Sequence, residues 1–240
     1  MVYLVAGLSM ILALQQGVAA GPEISHADVR VSLTQPGERV DVVARYQLQL
    51  PENTESLSLR GVAFLGARPA ELRASLDGQP VAVELGYAEL DGGSARDSTG
   101  LTGVVRFSPR AVGADSTILE LRYRADGAAR GEGTDVDVVV PMLFVSGKTA
   151  GSREDLFRLE VELPSELSVH EFFPTVARSI TRDGETTHHM LTLEAIPAMV
   201  RWRGQMGEER VVTFQAAVDL FTIAVLVLLS AVTYRVIRAA

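Results

Sequence analysis

Between Gly21 and Met206 the apolar positions recur with a period of two. Val40, Val42, Ala44, Tyr46, Leu48 and Leu50 alternate with Asp41, Val43, Arg45, Gln47 and Gln49. This is the pattern of an antiparallel strand with one buried face and one mostly wet face. Ala27, Val29, Val31 and Leu33 alternate likewise, and Gln35-Pro36-Gly37-Glu38 joins the two runs with hairpin chemistry: Pro fixes φ and Gly permits a positive φ. Leu57 and Leu59 alternate until Gly61 interrupts before Val62 and Phe64, which predicts a β-bulge. Runs at 72–76 and 81–85 flank Asp77-Gly78, a strong hairpin signal. Further strands are expected around Thr117–Tyr123, Val136–Val140 and Phe157–Leu163, with a hairpin at Asp183-Gly184. No window keeps a 3.6-residue period for three turns. Many short strands with turn signals between them predict a mainly β chain, an antiparallel β-sandwich.

The stretch Ala125–Thr134, ADGAARGEGT, has no apolar anchor, and Asp91–Gly100 has the same loop-like character. The expected division is a β-sandwich module over 21–127, a linker or loop over 128–134, and a second β module over 135–212. A single larger sandwich with a long hairpin loop is the other reading.

Four segments of the first module carry a resemblance: VDVVARYQLQL at 40–50, SLSLRGVAFL at 56–65, ASLDGQPVAVEL at 74–85 and STILELRYRADG at 116–127. At the level of pattern, residues 25–127 resemble the non-catalytic N-terminal β-domain of M1-type metallopeptidases. The resemblance implies a fold neighbourhood and no activity, because in that family this domain positions the substrate and does not cut it.

The two ends are of another kind. Val2–Leu14 is an apolar run, and Val18 with Ala20 supplies small residues before Gly21. The run is too short for a bilayer core that needs about 20 residues, so residues 1–20 are expected to be a signal peptide. No Lys or Arg occurs in Met1–Gly7, which leaves open a start further upstream or an uncleaved anchor. From Val211 to Tyr234 the only charge is Asp219. A transmembrane helix is expected over 213–234, with 235–240 as a cytoplasmic tail. Arg235 and Arg238 place that end inside the cell. The body is then extracytoplasmic, in a single-pass protein of a bacterial cell (inner/plasma) membrane.

The net charge is −8. An acidic surface repels nucleic acid, which binds by having its phosphates neutralised, so no nucleic-acid partner is expected. Without cysteine there are neither disulfides nor thiolate metal sites.

Motifs of chemistry fail on inspection. His170-Glu171-Phe172-Phe173-Pro174 lacks the second histidine of a zinc helix, and Pro174 would block that helix. Ser146-Gly147-Lys148-Thr149 lacks the upstream glycine of a phosphate loop, where Met142 stands instead. His188 and His189 are adjacent and point to opposite faces of a strand. No catalytic residue, metal ligand or cofactor is assigned. The expected role is a non-enzymatic interaction or accessory subunit of a cell-envelope complex, with the membrane and a protein as partners. Asp219 within the span, and Trp202, Arg201 and Arg203 beside it, are the candidate partner contacts. A glycan- or ligand-binding surface protein, or a hydrolase with a site assembled across the two modules, are the alternatives.

Overall fold

The computed structural model describes residues 21–33, 39–88, 98–108, 116–131, 133–149 and 156–207. The expected signal peptide (1–20), the expected transmembrane helix with Asp219, and the expected tail with Arg235 and Arg238 lie outside them. No helix among the described residues is long and apolar enough to cross a membrane.

The regular elements among these residues are strands. The first eight are β1 (Glu23–Leu33), β2 (Val40–Gln49), β3 (Ser56–Phe64), β4 (Arg68–Leu76), β5 (Gln79–Ala88), β6 (Ser98–Arg106), β7 (Thr117–Asp126) and β8 (Ala129–Arg130). There follow β9 (Asp135–Pro141), β10 (Leu143–Val145), β11 (Lys148–Thr149), β12 (Phe157–Pro164), β13 (Leu167–Phe173), β14 (Ser179–Asp183), β15 (Thr186–Leu193) and β16 (Met199–Met206). Burial follows the period of two: Val40, Val42, Ala44, Tyr46 and Leu48 of β2 are buried, and the residues between them are half-buried or exposed. Strands β7 and β12 repeat the pattern.

One sheet runs β10-β3-β6-β5-β4-β7-β2-β1-β12-β15-β14, with β11 beside β1, and a second runs β13-β16-β9-β8. Strand β5 turns the large sheet from one set of strands to the next. It pairs with β4 from Leu76↔Gln79 to Ala74↔Val81, then with β6 from Ala82 onward. Asp77 and Gly78 form the β4–β5 loop, both with positive φ (46° and 78°), as the expected two-residue hairpin requires.

The two-module division is overturned. The described residues from Gly21 to Met206 fall in one compact unit, and the strands after residue 134 complete the sheet of those before it. Strand β12 pairs in parallel with β1 (Val29↔Leu159), and β10 pairs with β3 (Phe144↔Arg60). Both halves contribute to one hydrophobic core, with Tyr46, Phe157 and Trp202 its largest fully buried side chains. Tyr46 donates its phenol hydrogen to the Leu143 carbonyl, and Tyr123 donates to that of Pro141 at 2.8 Å. Burial pushes both phenol pKa values up, so these donors stay protonated.

The expected linker is itself part of the fold. Ala128 is buried, and β8 pairs with Val138 and Asp137 of β9. Its glycines serve a tight hairpin: a Cβ on Gly131 would lie 1.9 Å from the Asp135 carbonyl oxygen. The bulge expected at Gly61 is also absent, since β3 and β6 pair without a register shift from Ser56↔Arg106 to Phe64↔Ser98. Gly61 is needed for proximity, because a Cβ there would lie 2.7 Å from the Met142 carbonyl oxygen of the crossing chain. The register shifts fall instead at 24/26, 70/73 and 169/171. The last part of the expected 91–100 loop is strand, because β6 begins at Ser98.

Candidate functional site

The inward residues of β12, β1, β2, β7 and β4 fill the core, and the alternate residues form an outer face dense in charge. Register fixes its rows. Across one row stand Arg73, Arg122, Val43, Arg30 and Glu160, and across the next Ser75, Glu120, Arg45, Asp28 and Arg158. Val43 is short and its neighbours are long, so the face is hollow above it. A cavity of about 460 Å³ is lined by Asp28, Val29, Arg30, Val43, Arg45, Arg122, Arg158 and Glu160. A second, of about 250 Å³, shares Val43 and Arg122 and reaches Arg73.

Most charges here are compensated across strands. Arg45 and Arg122 both donate to Glu120, at 2.7 and 2.6 Å. Partial burial pushes the Glu120 pKa up, but the two guanidinium donors more than offset this and hold it below the ordinary value. Arg30 contacts Glu160 at 2.9 Å and Glu162 at 3.5 Å. Glu160 is likewise held low, because hydrogen bonds from Arg30 and His188 outweigh its burial. Arg158 and Arg73 differ: among the described residues neither has an ion pair or hydrogen bond.

Glu160, Glu162 and His188 are the one set among the described residues with ligand atoms close enough for a metal ion, all within 4.8 Å of one another. The His188 Nδ1 lies 3.1 Å from Glu160 and 3.8 Å from Glu162. Arg30 already supplies positive charge to both carboxylates, and Ser32 donates to Glu162 at 2.5 Å. The arrangement is satisfied as an ion-pair network, and no metal is assigned to it.

The other sequence candidates fall on opposite sides of one strand. Trp202 of β16 is fully buried against Phe172, with ring centroids 6.4 Å apart, so it is a core residue and presents no surface to a partner. Arg201 and Arg203 point the other way and share Asp137, at 2.7 and 3.2 Å. Hydrogen bonds from Arg201, then Arg203, hold the Asp137 pKa below its ordinary value. His188 and His189 diverge as the strand period requires: His188 faces the outer network, and His189 is buried and stacked on Phe172 at 5.8 Å. His170 lies on strand β13, not on a helix.

No protein-family model matches this chain, and no curated protein matches it. Solved structures do show a likeness. An M1 zinc metallopeptidase from Deinococcus radiodurans is 16% identical, covering 77% of this chain and 42% of that one, with a TM-score of 0.45. Yeast LTA4 hydrolase with bestatin is 14% identical, covering 78% and 29%, with a TM-score of 0.44. A putative nutrient binding protein from Legionella pneumophila is 10% identical, covering 79% and 68%, with a TM-score of 0.47. M1-type metallopeptidases, which residues 25–127 weakly resemble in pattern, are thus among the structural neighbours at low identity. The chain spans less than half the length of the metallopeptidase chains it matches. The likeness assigns no specific family.

Proposed function

We propose that this chain is an exported β-domain, anchored in the membrane by its C-terminal apolar segment, that acts as a non-enzymatic interaction subunit of a cell-envelope assembly. The observation that carries this reading is the open outer face, five strands wide, hollowed over Val43 and lined by arginines and carboxylates held in fixed geometry. Side chains locked by cross-strand pairing lose little freedom on association, and preorganisation of this kind favours binding. The anchor rests on the sequence Leu220–Val232, LFTIAVLVLLSAV, followed by Arg235 and Arg238.

The test is purification of the full chain in mild detergent from its native membrane, with and without the apolar segment replaced by an unrelated span. Stoichiometric co-purifying protein is expected in the first preparation, and retention in the second assigns the contact to the β-domain. A partnerless monomer in both would overturn the reading.

A further inference from the structure

We propose that the trough on the outer face receives an extended acidic segment of a protein partner, whose carboxylates are bound by Arg158 at one end and Arg73 at the other. This rests on the interaction-subunit reading and gives the partner a chemistry.

The two cavities adjoin at Val43 and Arg122, which line both. Arg158 stands on β12 and Arg73 on β4, with β1, β2 and β7 between them. Four strand spacings make about 19 Å, a distance an extended peptide crosses in about six residues. The two end arginines lack acidic partners, and the arginines between them are occupied: Arg30 by Glu160, Arg45 and Arg122 by Glu120.

Register sharpens the point at both ends. Arg73 lies directly opposite Arg122, a like-charge cross-strand pair that destabilises a sheet and that an incoming carboxylate would relieve. Arg158 lies opposite Asp28, but that carboxylate is turned to His26 at 3.1 Å. Guanidinium forks match carboxylates in geometry. Two such forks on a chain of net charge −8 make a local attraction for an acidic segment that the rest of the surface repels.

The interior of the trough excludes a different class of ligand. Asp28 of β1 and Glu120 of β7 lie between the two free arginines, Glu160 stands beside Arg158 on β12, and Asp41 and Glu71 line the second cavity, so a polyanion with charge at every unit meets carboxylates along its length. A peptide acidic at its two ends, with small neutral residues between, avoids Asp28 and Glu120.

The experiment uses the full chain in mild detergent and a fluorescein-labelled eight-residue peptide with two glutamates at each end and a Gly/Ser spacer. Anisotropy is read at about 50 and about 500 mM NaCl, because exposed ion pairs weaken with screening. Saturable binding is expected, weakened about tenfold by the added salt and about tenfold by the double substitution Arg73→Ala with Arg158→Ala. Arg60→Ala, an exposed arginine on β3, should leave binding unchanged. The same peptide with glutamines in place of glutamates is the control and should not bind. Far-UV circular dichroism confirms that each variant is folded, as expected for exposed side chains.

Absence of saturable binding, or binding indifferent to the double substitution, would overturn the proposal. Binding of inorganic pyrophosphate or of phosphatidylglycerol vesicles through the same arginines, in place of the peptide, would overturn its ligand class. If a co-purifying partner is found and the double variant retains it, this site fails and the interaction-subunit reading stands. If no partner co-purifies but the peptide binds through both arginines, the reading fails and the site stands.

Discussion

Two adjacent histidines show how far one position along a strand can change a side chain's chemistry. His188 sits among carboxylates on the outer face, and His189 is buried in the core. Burial, with a smaller contribution from Arg178, lowers the His189 pKa to about 4. The unfolded chain would protonate this ring near the ordinary value of about 6.5, so between the two values the unfolded state binds more protons. Stability therefore falls as pH drops from about 6.5 to about 4, by at most about 3 kcal/mol. Glu120, Asp126, Asp137 and Glu160 have pKa values held below their ordinary ones. Their contributions are lost only at lower pH, so the upper part of the window belongs to His189. Urea midpoints measured from about pH 7 down to about pH 4.5 should decline in the native chain and stay nearly level in His189→Phe. Equal slopes in the two proteins would refute this assignment. The alternation that separates the pair was legible from the strand period. The partner that buries His189 was not, because Phe172 is brought there by a second sheet.

At the scale of elements, the alternating segments and the Asp-Gly hairpins were read correctly, and the errors fell at glycines that serve a close backbone approach. Gly61 and the 127–133 stretch looked like interruptions. Both are places where another backbone passes close by, and a sequence reports the missing side chain in the same way for a loop and for a tight crossing. Gly61→Ala should lower stability by about 1–3 kcal/mol, the usual cost of overpacking, since its new carbon would meet a backbone oxygen that cannot swing aside. Gly86→Ala is the control, because its nearest neighbour is an ordinary 3.7 Å away. Thermal denaturation of the two variants should separate them, and equal losses would contradict the crossing at Gly61. The same limit applies to the outer face. Its arginines and glutamates could be placed on the wet side by alternation alone. Which of them pair, and that Arg73 and Arg158 do not, depends on the register of strands far apart in sequence.

At the scale of the whole β-body, the apparent break at 128–134 suggested two parts where the described residues up to Met206 fall in one compact unit. Composition marks where a chain is polar and small, and it cannot show that strands on either side of such a stretch pair with each other. Separately expressed fragments 21–131 and 133–207 should each be largely unfolded by circular dichroism, because β1 would lose β12 and β9 would lose the core it packs on. An independently folded first fragment would restore the two-module reading. The parallel contact between β1 and β12 also sets an order of events. Arg30 finds its partner Glu160 only after 130 further residues have been added, so the sheet cannot close around its earliest strand until nearly the whole body has been made. Closure over such sequence distances is slow. On the export proposed above, a chain threaded through a membrane before it folds would gain transit time from such a late pairing.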